Sequence, residues 1–226
     1  MREVVIAGGS GGLGSAAVRL LSTDCRVVFS YRTNAVSPAD AATPVQADLL
    51  SASDRARLLD AAPALYGLAV FTGTPARGDS EEAYRLSHDV NYLGPILLAR
   101  EAASRMRATS TPGAIVLIST MQASAVFPNS TAYAAQKAAL IHAGLILAKE
   151  NRGRTNIRVN IVCPGVNQAG MAEASIAAGK YRRYLDEDII PRYGYPADVA
   201  RAVRFLLEPD NYITGQVISV DGGLTL

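Results

Sequence analysis

Tyr133 and Lys137 stand four residues apart in Thr131–Glu150, an Ala- and Leu-rich stretch that reads as one long helix. Residues at that spacing share a helix face, so a phenol and an ammonium can point into one cleft and exchange a proton with an oxygen atom. A free phenol, with a pKa of about 10, is a sluggish acid–base partner near neutral pH. Lowering it by about 2–3 units takes roughly 3–4 kcal/mol. An ammonium about 4 Å away supplies about 4 kcal/mol at an effective dielectric of about 20. The Lys137 charge is therefore of the right size to tune Tyr133. Spacing alone is also met by an ordinary helix tyrosine with its hydroxyl in solvent.

A second chemical feature lies near the start. Ala7-Gly8-Gly9-Ser10-Gly11-Gly12-Leu13-Gly14 joins a strand-like run, Val4–Ala7, to a helix-like one, Leu13–Leu21. Gly8 permits a tight turn. Gly12 and Gly14 let backbone approach a pyrophosphate, whose charge suits a helix N-terminus.

These residues need a frame. Short β-branched runs alternate with Ala/Leu/Arg segments along the chain. Further strands are expected at Arg26–Tyr31, Pro44–Ala47, Leu68–Phe71, Ala114–Ser119, Ile157–Val162 and Gln216–Val220. Helices are expected at Ser53–Ala61 with Ser53 as cap, at Asp79–Met106 with a bend at Gly94-Pro95, and from Pro196 to Leu207. The pattern predicts an α/β fold: one domain over 1–226, Rossmann-like and doubly wound. Its sheet would be seven-stranded and mostly parallel, with helices on both faces. Such sheets bind ligands beyond the carboxyl ends of their strands.

Composition bounds the function. Hydrophobic residues are 49% and charged residues 19%, which excludes a disordered chain. The charge sum, 22 − 20 = +2, gives no reason to expect nucleic acid or an anionic membrane as partner. Cys25 and Cys163 have no metal-ligand spacing and read as buried thiols, and His88 and His142 read as helix residues, so no metal is expected. No run of about 18 apolar residues occurs, and no signal peptide is read, so a cytoplasmic location is the expectation.

The glycine spacing resembles the TGxxxGxG loop of the short-chain dehydrogenase/reductase family, with Ala7 in place of Thr. Other matches run along nearly the whole chain: Asp48-Leu49, Asn91 in Val90-Asn91-Tyr92-Leu93-Gly94, the YxxxK of Tyr133–Lys137, Pro164-Gly165, the stretch Arg192–Ala200, and Val220-Asp221-Gly222-Gly223. The resemblance is nearest to 3-oxoacyl-thioester reductases. It implies an NADP(H)-dependent oxidoreductase acting on a small-molecule carbonyl or alcohol, and a homotetramer or homodimer built on the two long helices. Tyr133 would give the proton, Lys137 would tune it and hold the ribose, and Asn91 would hold a water in a relay through the lysine. The family's substrate-orienting Ser falls at Thr120, with Ser119 adjacent as the other choice.

The same resemblance implies dinucleotide contacts from Gly8, Ser10, Gly11, Gly12, Leu13 and Gly14, from Asp48 and Leu49, from Thr72, Gly73 and Thr74, and from Pro164, Gly165 and Val166, besides Tyr133 and Lys137. NAD-binding members carry an acid at the end of strand two. Here Tyr31, Arg32 and Thr33 stand there, and no Asp or Glu occurs from Arg26 to Ala39. Arg32 can stack on adenine and pair with a 2′-phosphate, which predicts NADP(H).

Some residues depart from the family pattern. Its NNAG reads Val70-Phe71-Thr72-Gly73 here, so the sheet must be braced by something other than the first Asn. Ala169 stands where a Thr is frequent. Met171–Asp188 is expected to form a mobile helical lid, and Arg182-Arg183 a solvated helix face. Two other readings stay open on the same fold: a non-catalytic NADP(H)-binding regulator, or an isomerase or dehydratase using bound cofactor transiently.

Overall fold

The computed structural model describes residues 1–34, 39, 41–76 and 78–226. Seven strands form one sheet, β1 (Arg2–Ala7), β2 (Cys25–Tyr31), β3 (Thr43–Gln46), β4 (Leu65–Val70), β5 (Gly113–Ile118), β6 (Ile157–Pro164) and β7 (Val217–Val220). Their order is β3-β2-β1-β4-β5-β6-β7. Every neighbouring pair is parallel, so the sheet is wholly rather than mostly parallel.

Parallel neighbours require crossovers, and the crossovers put helices on both faces. Alternate residues of β1 feed the two cores. Val4 and Ile6 pack with α1 (Gly12–Leu21) and α8 (Pro196–Leu207) on one face. Val5 and Ala7 pack with α2 (Ala52–Asp60), α4 (Gly94–Ala108) and α5 (Thr131–Glu150) on the other. Strand order reverses between β1 and β4, and the cleft opens at their carboxyl ends.

Three local readings change. The cap of α2 is Ser51, whose Oγ accepts from the Asp54 amide at 3.3 Å, and Ser53 lies inside the first turn. The single helix expected over Asp79–Met106 is three pieces. Ser80 caps α3 (Glu81–His88), a five-residue π turn follows at Asp89–Leu93, and α4 continues from it. Gly94 itself is helical at φ −56°, so the irregularity precedes Gly94-Pro95 instead of falling on it. The Met171–Asp188 segment holds only α6 (Glu173–Ala177) and α7 (Arg183–Asp186), after a 3₁₀ turn at Gly170–Ala172. Both cysteines are free and buried. Among the described residues no helix is long and apolar enough to cross a membrane, and no group of His, Cys, Asp or Glu is placed to hold a metal.

Candidate active site

The floor of the cleft is made by α5, which packs on β5 and β6. Lys137 is 2% exposed. Its Nζ donates to the carbonyls of Ile118 at 2.9 Å and Thr72 at 3.2 Å. The ammonium thus ties the loop after β4 to the end of β5. Phe71 adds a backbone bond to the Ala7 carbonyl at 2.8 Å. Together they supply the bracing that Val70 cannot.

Burial lowers the Lys137 pKa to about 8. Tyr133 lines the same cleft, half-buried. Burial pushes its phenol up to about 12, against the pull of a hydrogen bond with the Thr120 hydroxyl; the Tyr181 phenol adds to the rise. Lys137 is not among the groups acting on it. The expected depression by Lys137 is therefore not met here. The ammonium faces two carbonyls, and withdrawal from water sets the direction of the phenol's shift.

Ser119 and Thr120 separate cleanly. The Ser119 Oγ donates to the Lys137 carbonyl at 2.9 Å and fixes the helix to β5. Thr120 is the hydroxyl that meets Tyr133, and its Oγ1 also accepts from the Gln122 amide at 3.3 Å.

Asn91 sits in the π turn, fully buried. Its Oδ1 accepts from the Thr74 amide at 2.9 Å. Its Nδ2 donates to the Thr74 carbonyl at 3.1 Å and to Ser87 Oγ at 2.9 Å. Both Nδ2 protons are used, and the amide holds Thr74 from both sides of its peptide. Pro95, four residues on, has no N–H to offer the Asn91 carbonyl.

The glycine loop closes the other end. Gly8 has φ +77°, and its amide donates to Ser30 Oγ at 2.9 Å. A Cβ at Gly14 would lie 2.3 Å from the Gly8 carbonyl oxygen, and one at Gly12 would lie 2.9 Å from the Gly170 nitrogen. The N-terminus of α1 carries no side-chain cap and no acid in its first turn, so its amides remain available to an anion. Beside Gly8, Thr72 Oγ1 is buried with no hydrogen-bond partner among the described residues. An uncapped helix N-terminus, a cradle too tight for side chains and an orphaned hydroxyl together fit a pyrophosphate and ribose.

The cavity between these ends has a volume of about 820 Å³. Gly8, Gly11, Gly12, Leu13, Gly14, Thr72, Gly73, Thr120, Tyr133, Lys137, Pro164, Gly165 and Val166 line it as expected. Ser10, Tyr31, Arg32, Thr33, Asp48, Leu49, Thr74 and Asn91 stand outside its wall. Arg32, with its side chain 69% exposed, lies 3.7 Å from Asp48 at the ends of β2 and β3. Leu49 is buried, and a Cβ on Gly94 would lie 2.9 Å from its Cβ. Sequence reasoning missed Met121, Phe127, Lys180, Tyr181, Arg183 and Tyr184, all of which line the cavity. The dense tyrosines of 181–195 were the available signal. Of the arginine pair, Arg182 faces solvent as expected, whereas Arg183 borders the cleft.

The family model described as Enoyl-(Acyl carrier protein) reductase matches residues 10–225. Carbonyl reductase family member 4 of Danio rerio is 33% identical, over 100% of this chain and 98% of its own length. The chloroplastic NADPH-dependent aldehyde reductase 2 of Arabidopsis thaliana is 30% identical, over 100% of this chain and 94% of its own. Among solved structures, a short-chain type dehydrogenase/reductase from Mycobacterium ulcerans superposes with a TM-score of 0.88 at 28% identity, covering 99% of this chain and 90% of that one.

Proposed function

Because the chain belongs to the short-chain dehydrogenase/reductase family of oxidoreductases, we propose that it reduces a carbonyl compound to an alcohol, or runs the reverse, with NADP(H). One observation carries the reading: Tyr133 and Thr120 present paired hydroxyls to one cavity whose far end is an uncapped helix N-terminus. The dinucleotide supplies the hydride. Thr120 orients the carbonyl oxygen, and Tyr133 delivers the proton to it. Lys137 holds the ribose and keeps positive charge near the phenol. Since its amide is occupied by Thr74 and Ser87, Asn91 would hold a relay water through its main-chain carbonyl.

The choice of NADP(H) over NAD(H) rests on Arg32 and on the lack of an acid at Tyr31. The Asp48 carboxylate near Arg32 tempers it. The naming of an NADPH-dependent relative agrees. A homotetramer or homodimer and a cytoplasmic location complete the proposal.

The test is a panel of aldehydes and ketones assayed by loss of NADPH absorbance. Tyr133→Phe serves as the control. Turnover in the wild type that vanishes in the variant supports the reading. Turnover that persists in the variant removes the acid–base assignment. NADP(H) that copurifies without net consumption would instead favour an isomerase or dehydratase.

A further inference from the structure

The carbonyl end of the cleft has a charge imbalance that the proposed reaction does not use. Among the described residues lining the cavity there are three cations, Lys137, Lys180 and Arg183, and no Asp or Glu. Lys137 is occupied by its two carbonyls. The other two make no ion pair among the described residues. Arg182, between them and Asp186, shows the contrast: its Nε lies 2.8 Å from the Asp186 carboxylate. The Arg183 guanidinium donates to the Tyr184 hydroxyl at 3.3 Å, and Glu187 acts on it less than Tyr184 does.

Both free cations are held over aromatic rings. Lys180 Nζ lies 5.5 Å from the centre of the Tyr181 ring. The Arg183 guanidinium lies 4.9 Å from that of Tyr184. The two rings stack at 6.3 Å and 19°. Stacking restrains the long side chains, so less freedom is lost when an anion arrives. Tyr181 also packs on Met121 and Val166, and its phenol acts on that of Tyr133. This cluster therefore sits at the carbonyl end. The glycine loop meets a different part of the same segment, Ala169-Gly170.

Resting on the carbonyl-reductase reading, we propose that the substrate is an anionic carbonyl compound. Its carboxylate or phosphate would be engaged by Lys180 and Arg183, and its apolar body would lie against Tyr181, Met121 and Val166. The anion would belong either to a small keto acid or to the phosphate-bearing arm of an acyl thioester.

Calorimetric titration of the NADP⁺-loaded protein separates these cases. The probes are benzoylformate against its methyl ester, and acetoacetyl-coenzyme A against the uncharged N-acetylcysteamine thioester. The expected result is that one anionic member binds roughly tenfold more tightly than its neutral partner, as two exposed ion pairs would give. Added salt shrinks the difference. Lys180→Ala/Arg183→Ala abolishes it, and Lys180→Arg/Arg183→Lys restores it. Which pair shows the preference identifies the anion's source. Equal binding within both pairs, or a preference that survives in the double Ala variant, overturns the proposal. So does a rise in the NADP⁺ dissociation constant with no change in ligand preference, which would assign the cations to the dinucleotide. Because binding is read directly, failure of the reductase reading shows separately, as absence of NADPH consumption.

Discussion

The two ends of the cleft are built differently. At the carbonyl end the reactive groups are set in helix and sheet. Lys137 is 2% exposed, its ammonium held by the Ile118 and Thr72 carbonyls and its main-chain carbonyl by the Ser119 hydroxyl. At the adenine end Arg32 stands with a side chain 69% exposed and an acid 3.7 Å away. A buried polar group must be satisfied at nearly fixed geometry, whereas an exposed ion pair contributes little and can rearrange. The chemistry is thus fixed by the core, and the choice of cofactor is left to a weak surface contact. Variants at the first end should cost orders of magnitude, and variants at the second should shift a preference.

The largest effect is expected from Tyr133→Phe, which should lower kcat by about 10²- to 10⁴-fold while calorimetry still detects NADP⁺. An equal loss of cofactor binding would erase the distinction between the ends.

Lys137 comes next. With its pKa near 8, it is a cation below that value and neutral above it. The phenol stays protonated to about 12. Carbonyl reduction should therefore decline as pH rises through about 8, from loss of the ammonium. Lys137→Met should remove that break and lower kcat by about 10²-fold. Stability moves the opposite way. The unfolded chain keeps the proton up to about 10.5. It binds more protons than the folded one between about 8 and 10.5, so Lys137 adds stability as pH rises across that window. The melting temperature of the wild type should gain on that of Lys137→Met over the same range.

Smaller effects sharpen the contrast. Thr120→Ala should lower kcat/KM by about tenfold, with Thr120→Ser close to wild type, since one neutral hydrogen bond is at stake. Ser119→Ala should instead appear as a lower melting temperature, because its bond is to the Lys137 carbonyl. At the exposed end, Arg32→Asp should weaken NADPH binding by about five- to tenfold and leave NADH nearly unchanged. Asp48→Asn should shift the preference the other way. Equal responses of both cofactors would take Arg32 out of the site.

Much of this was legible in the chain. The short β-branched runs between Ala- and Leu-rich stretches and the helical spacing of Tyr133 and Lys137 are local properties, and they placed the sheet and the floor. The parts that escaped were long-range. Whether Ser119 or Thr120 faces the phenol depends on how α5 seats on β5. The raised phenol depends on how much protein surrounds it, which spacing does not encode. Lys180 and Arg183 enter the wall because Tyr181 packs into the apolar pocket of Met121 and Val166, a tertiary contact with no periodic signature.

The wide turn at Asp89–Leu93 has a consequence for how this chain tolerates change. In it the Gly94 amide reaches back five residues to the Asp89 carbonyl, one more than an α-helix allows. Deleting Asp89, Val90, Tyr92 or Leu93 would let α3 and α4 fuse into a regular rod, which looks harmless on a helical wheel. The wide turn takes up its extra residue with little rotation of α4 against α3, so the fused rod would keep the apolar face of α4 on the sheet and draw the residues of the turn, Asn91 among them, away from Thr74. A single-codon loss there would leave every side chain of the reaction encoded and still set the loop that carries Thr72 adrift.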